Sequence, residues 1–227
     1  MTMKAAVLHE HGSKLSVEDV PVPKVTSGSV RVKVLAAYIV HYAEAAYSGQ
    51  LGYPMTLPMI PGATAVGIIE EVGADTTELK EGDLVFCDPT VRARDNATGP
   101  STILQGLFTP PGGLTATYGN GAMAEQMLIP LENVVVLPKA WIKNPPLLVS
   151  LTPLFVPFGG IIAANFQPGQ TLLVLGATGN FGSPAVLIAL AMGAKKVIIP
   201  GRNKQKLDEL VQRIKRCEGR AGNSSRE

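Results

Sequence analysis

Between Asn144 and Ala194 the chain carries no aspartate, glutamate, lysine or arginine. A run of that length without charge has to be covered, because apolar surface in water is unfavourable. Pro145, Pro146, Pro153, Pro157, Pro168 and the pair Gly159-Gly160 interrupt it, so it lacks the roughly 18 unbroken apolar residues of a membrane-spanning helix. The stretch is read as protein core. Within it, "TLLVL" (171–175) has the continuous apolar character of a strand covered on both faces, and "SPAVLIALAM" (183–192) that of an apolar helix with Gly193 as its stop. "KKVIIPG" (195–201) is a second buried strand, and Leu207, Leu210, Val211 and Ile214 recur at helical spacing after it. The order is β-α-β-α.

The first strand and helix are joined by "GATGNFG", residues 176–182. Glycine permits positive φ and close approach of a ligand to the backbone, while the N-terminus of the following helix attracts a phosphate. Glycines 176, 179 and 182 follow a G-x-x-G-x-x-G spacing, looser than the usual dinucleotide fingerprint but in the right strand-turn-helix context. Gly176, Thr178, Gly179, Asn180, Phe181 and Gly182 are the candidate pyrophosphate contacts. After the second strand, where an acidic residue would bind the ribose hydroxyls of NAD, stand Gly201, Arg202 and Asn203, with Lys206 one helical turn on. A cation without an acid selects the 2′-phosphate of NADP(H); the alternative is that Arg202 and Lys206 are solvated residues of a helix start.

The first 140 residues differ. "KAAVLHE", "LSVEDV", "SVRVKVLAAY", "TAVGIIEEVG", "DLVFCD", "AEQMLIP" and "NVVVLP" are short Val/Ile/Leu-rich runs between Gly, Pro, Asp or Ser, the pattern of a small antiparallel barrel. Residues 88–120 form an irregular excursion rich in turn residues. The expected domains are 1–140 and 141–215, with a disordered tail over 216–227. Net charge is +2, but 8 of the 20 basic residues lie from Arg202 onward against 4 of the 18 acidic ones. They read as a solvated face without accompanying aromatics, so no nucleic-acid partner is expected. Cys87 and Cys217 are too few for a disulfide framework or a cysteine-built zinc site. The N-terminus has no signal-peptide core, and a cytoplasmic location without a membrane partner is expected. His9 and His11 have no partner at ligand spacing and read as surface residues.

The segments "LSVEDVPVPKV", "VRVKVLAAYIVHYAEA", "LPMIPGATAVGIIEEVGADTTELKEGDLVF" and "QPGQTLLVLGATGNFGSPAVLIALAMGAKKVI" resemble the medium-chain dehydrogenase/reductase superfamily, alcohol dehydrogenase-like, with a GroES-like N-terminal domain. The resemblance implies an α/β and β fold: a small GroES-like barrel, then an incomplete Rossmann domain, a doubly wound parallel sheet. Where the zinc-dependent branch places its ligands, this sequence has Val40, the pair Ala63-Thr64, and Thr152, none of them a competent zinc ligand. The excursion matching the structural-zinc lobe has no cysteine. The resemblance therefore implies a zinc-independent reductase of a quinone or enone type, with no metal.

Without a metal, charge developing during hydride transfer has to be met by hydrogen-bond donors. The corner "AYIVHYAEAAYSG" offers Tyr42, His41 and Tyr47. Tyr42 lies where relatives place a proton-relaying hydroxyl and His41 where they contact the cofactor pyrophosphate; Tyr42 and His41 are the candidate catalytic residues, with packing as the alternative. A complete dinucleotide fold has a second mononucleotide half, for which this sequence shows no strand pattern. The expectations are thus an NADP(H)-dependent oxidoreductase acting on a small molecule, a homodimer where a second half is present, or a non-catalytic remnant that binds nucleotide or a partner chain.

Overall fold

The computed structural model describes the backbone of residues 1–223 and side chains through residue 216. The chain divides into two units, Met1–Ser150 and Leu151–Glu227. That division falls ten residues after the expected end at 140, because the helix at 145–149 packs with the first unit.

In the first unit, β1 (Thr2–Val7) and β2 (Ser16–Pro21) pair antiparallel. They are followed by β3 (Ser29–Tyr38), α1 (Ala43–Tyr47), β4 (Thr64–Val72) and β5 (Leu84–Cys87). The excursion holds β6 (Thr90–Arg92), β7 (Thr102–Leu104) and α2 (Gly113–Tyr118); β8 (Gln126–Pro130), β9 (Val134–Val136) and α3 (Pro145–Val149) complete the unit. Its main sheet is antiparallel in the order β8-β3-β4-β5-β9. Backbone bonds from Ala6 N–H to the Met123 carbonyl (2.8 Å) and from Glu125 N–H to the Lys4 carbonyl (3.0 Å) bring β1 against the segment before β8. The seven strand-like runs of the sequence thus supply the framework.

Alternation sorts the side chains onto two faces. Val30, Val32, Ala65, Ile69, Val85, Cys87, Met127 and Ile129 form the inner cluster. Val66, Leu84 and Phe86 point the other way and are covered by Leu148 and Val149 of α3, which is why all four residues of β5 are buried. Asn144 starts α3, its side chain accepting from Leu147 N–H at 3.2 Å, and prolines occupy the first turn, where a missing N–H is tolerated.

The excursion is more ordered than its composition suggests. β6 and β7 form a hairpin, and side-chain amides fasten the lobe at both ends. Asn133 Nδ2 donates to the carbonyls of Asp88 (2.9 Å) and Thr90 (3.0 Å), and Gln105 Nε2 to those of Asn120 (2.7 Å) and Leu128 (2.6 Å). Arg94 makes a forked pair with Glu132 and donates to the Gly28 carbonyl.

The second unit contains α4 (Thr152–Ala163), β10 (Thr171–Leu173), α5 (Gly182–Ala191), β11 (Lys196–Ile198) and α6 (Lys204–Asn223). β10 and β11 are parallel, Leu172 opposite Val197, as a strand-helix-strand crossover requires. Val174, Ala177, Val186 and Leu210 are its buried core. Two expectations are corrected here. The charge-free stretch is only partly core: Phe155, Val156, Leu173 and Leu175 are 52%, 63%, 57% and 74% exposed. Among the described residues β10 pairs with β11 alone. Pro145–Ala163 is long and apolar enough to cross a membrane by length and composition, although the turn at Ser150 and Leu151 divides it into α3 and α4. Finally, residues 216–223, expected to be disordered, continue α6; the rest of the expected tail, 224–227, lies outside the described residues.

Candidate functional site

The aromatic corner belongs to the first unit and is built where β3 turns into α1. Tyr42 is the N-cap residue of α1, with its carbonyl accepting from Ala46 N–H at 3.0 Å. Ala46, Ala63 and Leu107 are buried at the centre of a cluster against which Val40, Tyr42, Tyr47, Tyr53, Met55 and Leu104 pack. The rings form a row of edge-to-face contacts: His41 to Tyr42 at 5.0 Å, Tyr42 to Tyr53 at 6.5 Å and Tyr53 to Phe108 at 5.9 Å between centroids. Each such contact adds packing energy beyond buried area.

The corner brings Tyr42 and His41 together, as the sequence places them. Partial burial, with smaller contributions from the neighbouring phenols of Tyr53 and Tyr38, holds the Tyr42 hydroxyl above its ordinary pKa, so it keeps a proton to donate across the neutral range. His41 is exposed. Tyr47, offered by the sequence as a third donor, is committed instead to the fold. Its oxygen accepts from Gly62 N–H at 3.2 Å and its hydroxyl donates to the Gly106 carbonyl at 3.3 Å. Sequence reasoning missed Tyr53 and Phe108, which complete the row, because they are brought in from a loop and from the lobe with no local motif to mark them.

Val40 and Ala63, two of the positions where zinc-dependent proteins of the resembled family place ligands, meet in this same apolar cluster. Neither side chain has a nitrogen, oxygen or sulfur atom, so this donor set does not fit zinc. Thr64 is buried, with a hydroxyl that has no hydrogen-bond partner among the described residues, and Thr152 opens α4 in the second unit. His9, read as a surface residue without a ligand partner, is exposed but paired to Glu18 at 2.6 Å.

The glycine turn belongs to the second unit and takes the form its spacing suggests. Gly176 has φ +64°, with open space where a side chain would stand. Gly179 N–H donates to the Gly176 carbonyl at 2.9 Å, and the Ser183 hydroxyl closes the turn on the Gly179 carbonyl at 2.9 Å. Gly182 opens α5 so close to the turn that an added Cβ would lie 2.0 Å from the Gly176 oxygen. Thr178, Gly179 and Asn180 are exposed above the start of α5, and Phe181 is half-buried. This backbone, free of side-chain bulk and leading into a helix N-terminus, fits a pyrophosphate. Gly201, Arg202, Asn203 and Lys206 follow β11 and are exposed. Asn203 has a further role, its carboxamide oxygen accepting from Lys206 N–H at 3.0 Å as the cap of α6. The signal for that was present as Asn ahead of an amphipathic run. Arg202 makes no ion pair among the described residues.

Comparison with known proteins gives a consistent picture. The family model described as the alcohol dehydrogenase GroES-like domain matches residues 26–139. An alcohol dehydrogenase of Moraxella sp. (strain TAE123) is 32% identical over 197 residues, covering 84% of this chain and 56% of that protein. Two solved structures share the fold. A short chain alcohol dehydrogenase from E. coli CFT073 complexed with NADH has a TM-score of 0.76 at 22% identity, over 93% of this chain and 60% of that one. A putative zinc-binding dehydrogenase from Sinorhizobium meliloti 1021 bound to NADP has a TM-score of 0.73 at 24% identity, with the same coverage of 93% and 60%. The chain spans a little over half the length of the curated relatives it matches. Its architecture is accordingly a GroES-like barrel followed by part of a Rossmann sheet. With half of its residues inside the family match, the chain belongs to the medium-chain dehydrogenase/reductase superfamily, in the alcohol dehydrogenase-like line that carries a GroES-like domain.

Proposed function

We propose that the chain is an NADP(H)-dependent oxidoreductase that moves hydride to or from a carbonyl, quinone or activated alkene without a catalytic zinc ion. The observation that carries this reading is the apolar, aromatic corner at the metal-ligand positions: Val40 and Ala63 supply no donor atom, and the protonated hydroxyl of Tyr42 stands beside them. When bound, the reduced nicotinamide supplies the hydride; the remaining work falls to side chains of this chain. Tyr42 gives its proton to the substrate oxygen, or to the adjacent carbon of an alkene, as negative charge develops there. The apolar cluster around it excludes water and strengthens that hydrogen bond. In the second unit the turn from Gly176 to Gly182 holds the pyrophosphate, and Arg202 and Lys206, with no acidic residue among Gly201, Arg202 and Asn203, favour a 2′-phosphate. A cytoplasmic location, a small-molecule substrate and, where a second half of the dinucleotide fold is present, a homodimer belong to the same proposal, supported by the sparse cysteines and by family membership.

The test pairs calorimetric titration with NADPH and NADH against turnover on 1,4-benzoquinone and 2-cyclohexenone, with and without a zinc chelator. Tighter binding of NADPH, chelator-resistant turnover, and a loss of about 100-fold in kcat for Tyr42→Phe are expected. Tighter NADH binding would overturn the cofactor assignment, and activity that vanishes on chelation and returns with zinc would overturn the zinc-free mechanism. A second reading, a non-catalytic chain that binds nucleotide or a partner only, is favoured by one observation: β10 has a single paired neighbour among the described residues, with Leu173 at its end and Leu175 just after it exposed. NADPH binding without turnover would assign the chain to that class.

A further inference from the structure

The lobe of residues 88–120 meets the barrel at a contact made almost without side chains. An added Cβ on Gly106 would lie 2.3 Å from the Gly62 carbonyl oxygen, and one on Gly121 would lie 2.0 Å from the same atom. Gly121 N–H donates to the Ile60 carbonyl at 2.7 Å and Ala122 N–H to that of Gly62 at 2.8 Å. Three backbone segments therefore touch at Gly62, Gly106 and Gly121, and the hydroxyl of Tyr47 bridges the first two from the end of α1. Both bonding directions of that hydroxyl are used, and burial, its largest influence, holds its pKa above the ordinary value.

The bridge has consequences for the aromatic corner. Gly106 is followed by Leu107, buried at the centre of the corner cluster, and by Phe108, the last ring of the row. Gly62 is followed by Ala63, another buried member. Displacing Gly106 from Gly62 would move Leu107 and Phe108 away from Tyr53 and Tyr42. We propose that Tyr47 is a positioning residue: its hydroxyl holds the lobe in register with α1, so that Phe108 and Tyr53 form a fixed wall beside Tyr42. As a role in turnover this rests on the reductase reading above; as a structural tie it does not.

Amide hydrogen exchange and steady-state kinetics on Tyr47→Phe test it together. Phenylalanine fills the same space but leaves Gly62 N–H without its acceptor, so the Gly62 amide is expected to exchange at least about fivefold faster while the Val32 and Ile69 amides keep their rates. With the wall loosened, KM for 2-cyclohexenone is expected to rise about tenfold with kcat changed by less than about twofold. A lower active fraction from mere destabilisation would reduce apparent kcat at unchanged KM. Unaltered Gly62 exchange, or faster exchange with unchanged KM, overturns the proposal. Absence of turnover in the unsubstituted protein defeats the reductase reading and the kinetic role, and leaves the exchange result to decide the tie. Should Tyr47→Phe not fold, exchange in the unsubstituted protein decides: Gly62, Gly121 and Ala122 amides must open together, and free exchange at Gly62 alone defeats the tie.

Discussion

Gly182 has no room for a side chain, and the reason is a single backbone atom. As the first residue of α5 it would ordinarily accept alanine with a gain in helix stability. The Cβ would instead meet the Gly176 oxygen at 2.0 Å, whereas at Gly179 the corresponding approach is 3.2 Å. Gly182→Ala is therefore expected to force the turn open and weaken NADPH binding by at least about tenfold, with Gly179→Ala the milder change, both read by calorimetry. Equal affinities for the two variants would show that the turn adjusts freely. Cys87 shows the opposite use of tight packing. Full burial pushes its thiol up to about 12, so it is a filler of the barrel core and not a nucleophile.

Among the elements, the hairpin of β6 and β7 depends on a charged fastening that should respond to acid. The hydrogen bond from Arg94 is the main cause that holds Glu132 below its ordinary pKa of 4.5. A carboxylate with a lowered folded value contributes its stability above the unfolded value and loses it as pH falls through the folded one. Both side chains are about half exposed, 49% and 48%, so the contribution is at most about 1 kcal/mol. Urea unfolding should show the native chain more stable than Glu132→Gln at pH 7, with the difference shrinking as the pH falls below the ordinary value of 4.5. A difference independent of pH would mean that the pair acts through shape alone. Such contacts mark the limit of what the sequence discloses. The strands of the barrel were legible because alternation is local, and the turn before α5 because glycine spacing is local. The tie at Tyr47 joins residues 15 and 59 positions away, so nothing near Tyr47 announces it. Asn203 suits both a cap and a cofactor contact, and its bond to Lys206 shows the first without excluding the second. The apolar letters of 171–175 are the same whether the fold covers them or, as at Leu173 and Leu175, leaves them exposed.

On the scale of the whole molecule, the two units differ in how completely they satisfy their own apolar surface. The first has a five-stranded sheet with clusters on both faces and a third under β1 and β2; among the described residues the second has two strands and a single small core. A fragment of residues 1–150 is expected to fold alone with a cooperative thermal transition and dispersed amide spectra, while residues 151–227 alone should lack both. A non-cooperative 1–150 fragment would show that the barrel depends on the chain that follows it. The glycine junction also divides the lobe into parts with different freedom to vary. Its tip, residues 95–99, is exposed and held mainly by Asn96 bonding to its own neighbours, so extra residues inserted there change only the reach of the lobe. At Gly106 and Gly121 even one methyl group collides with backbone. The lobe can therefore lengthen or change composition at its far end, remodelling whatever it meets, without the barrel having to register the change.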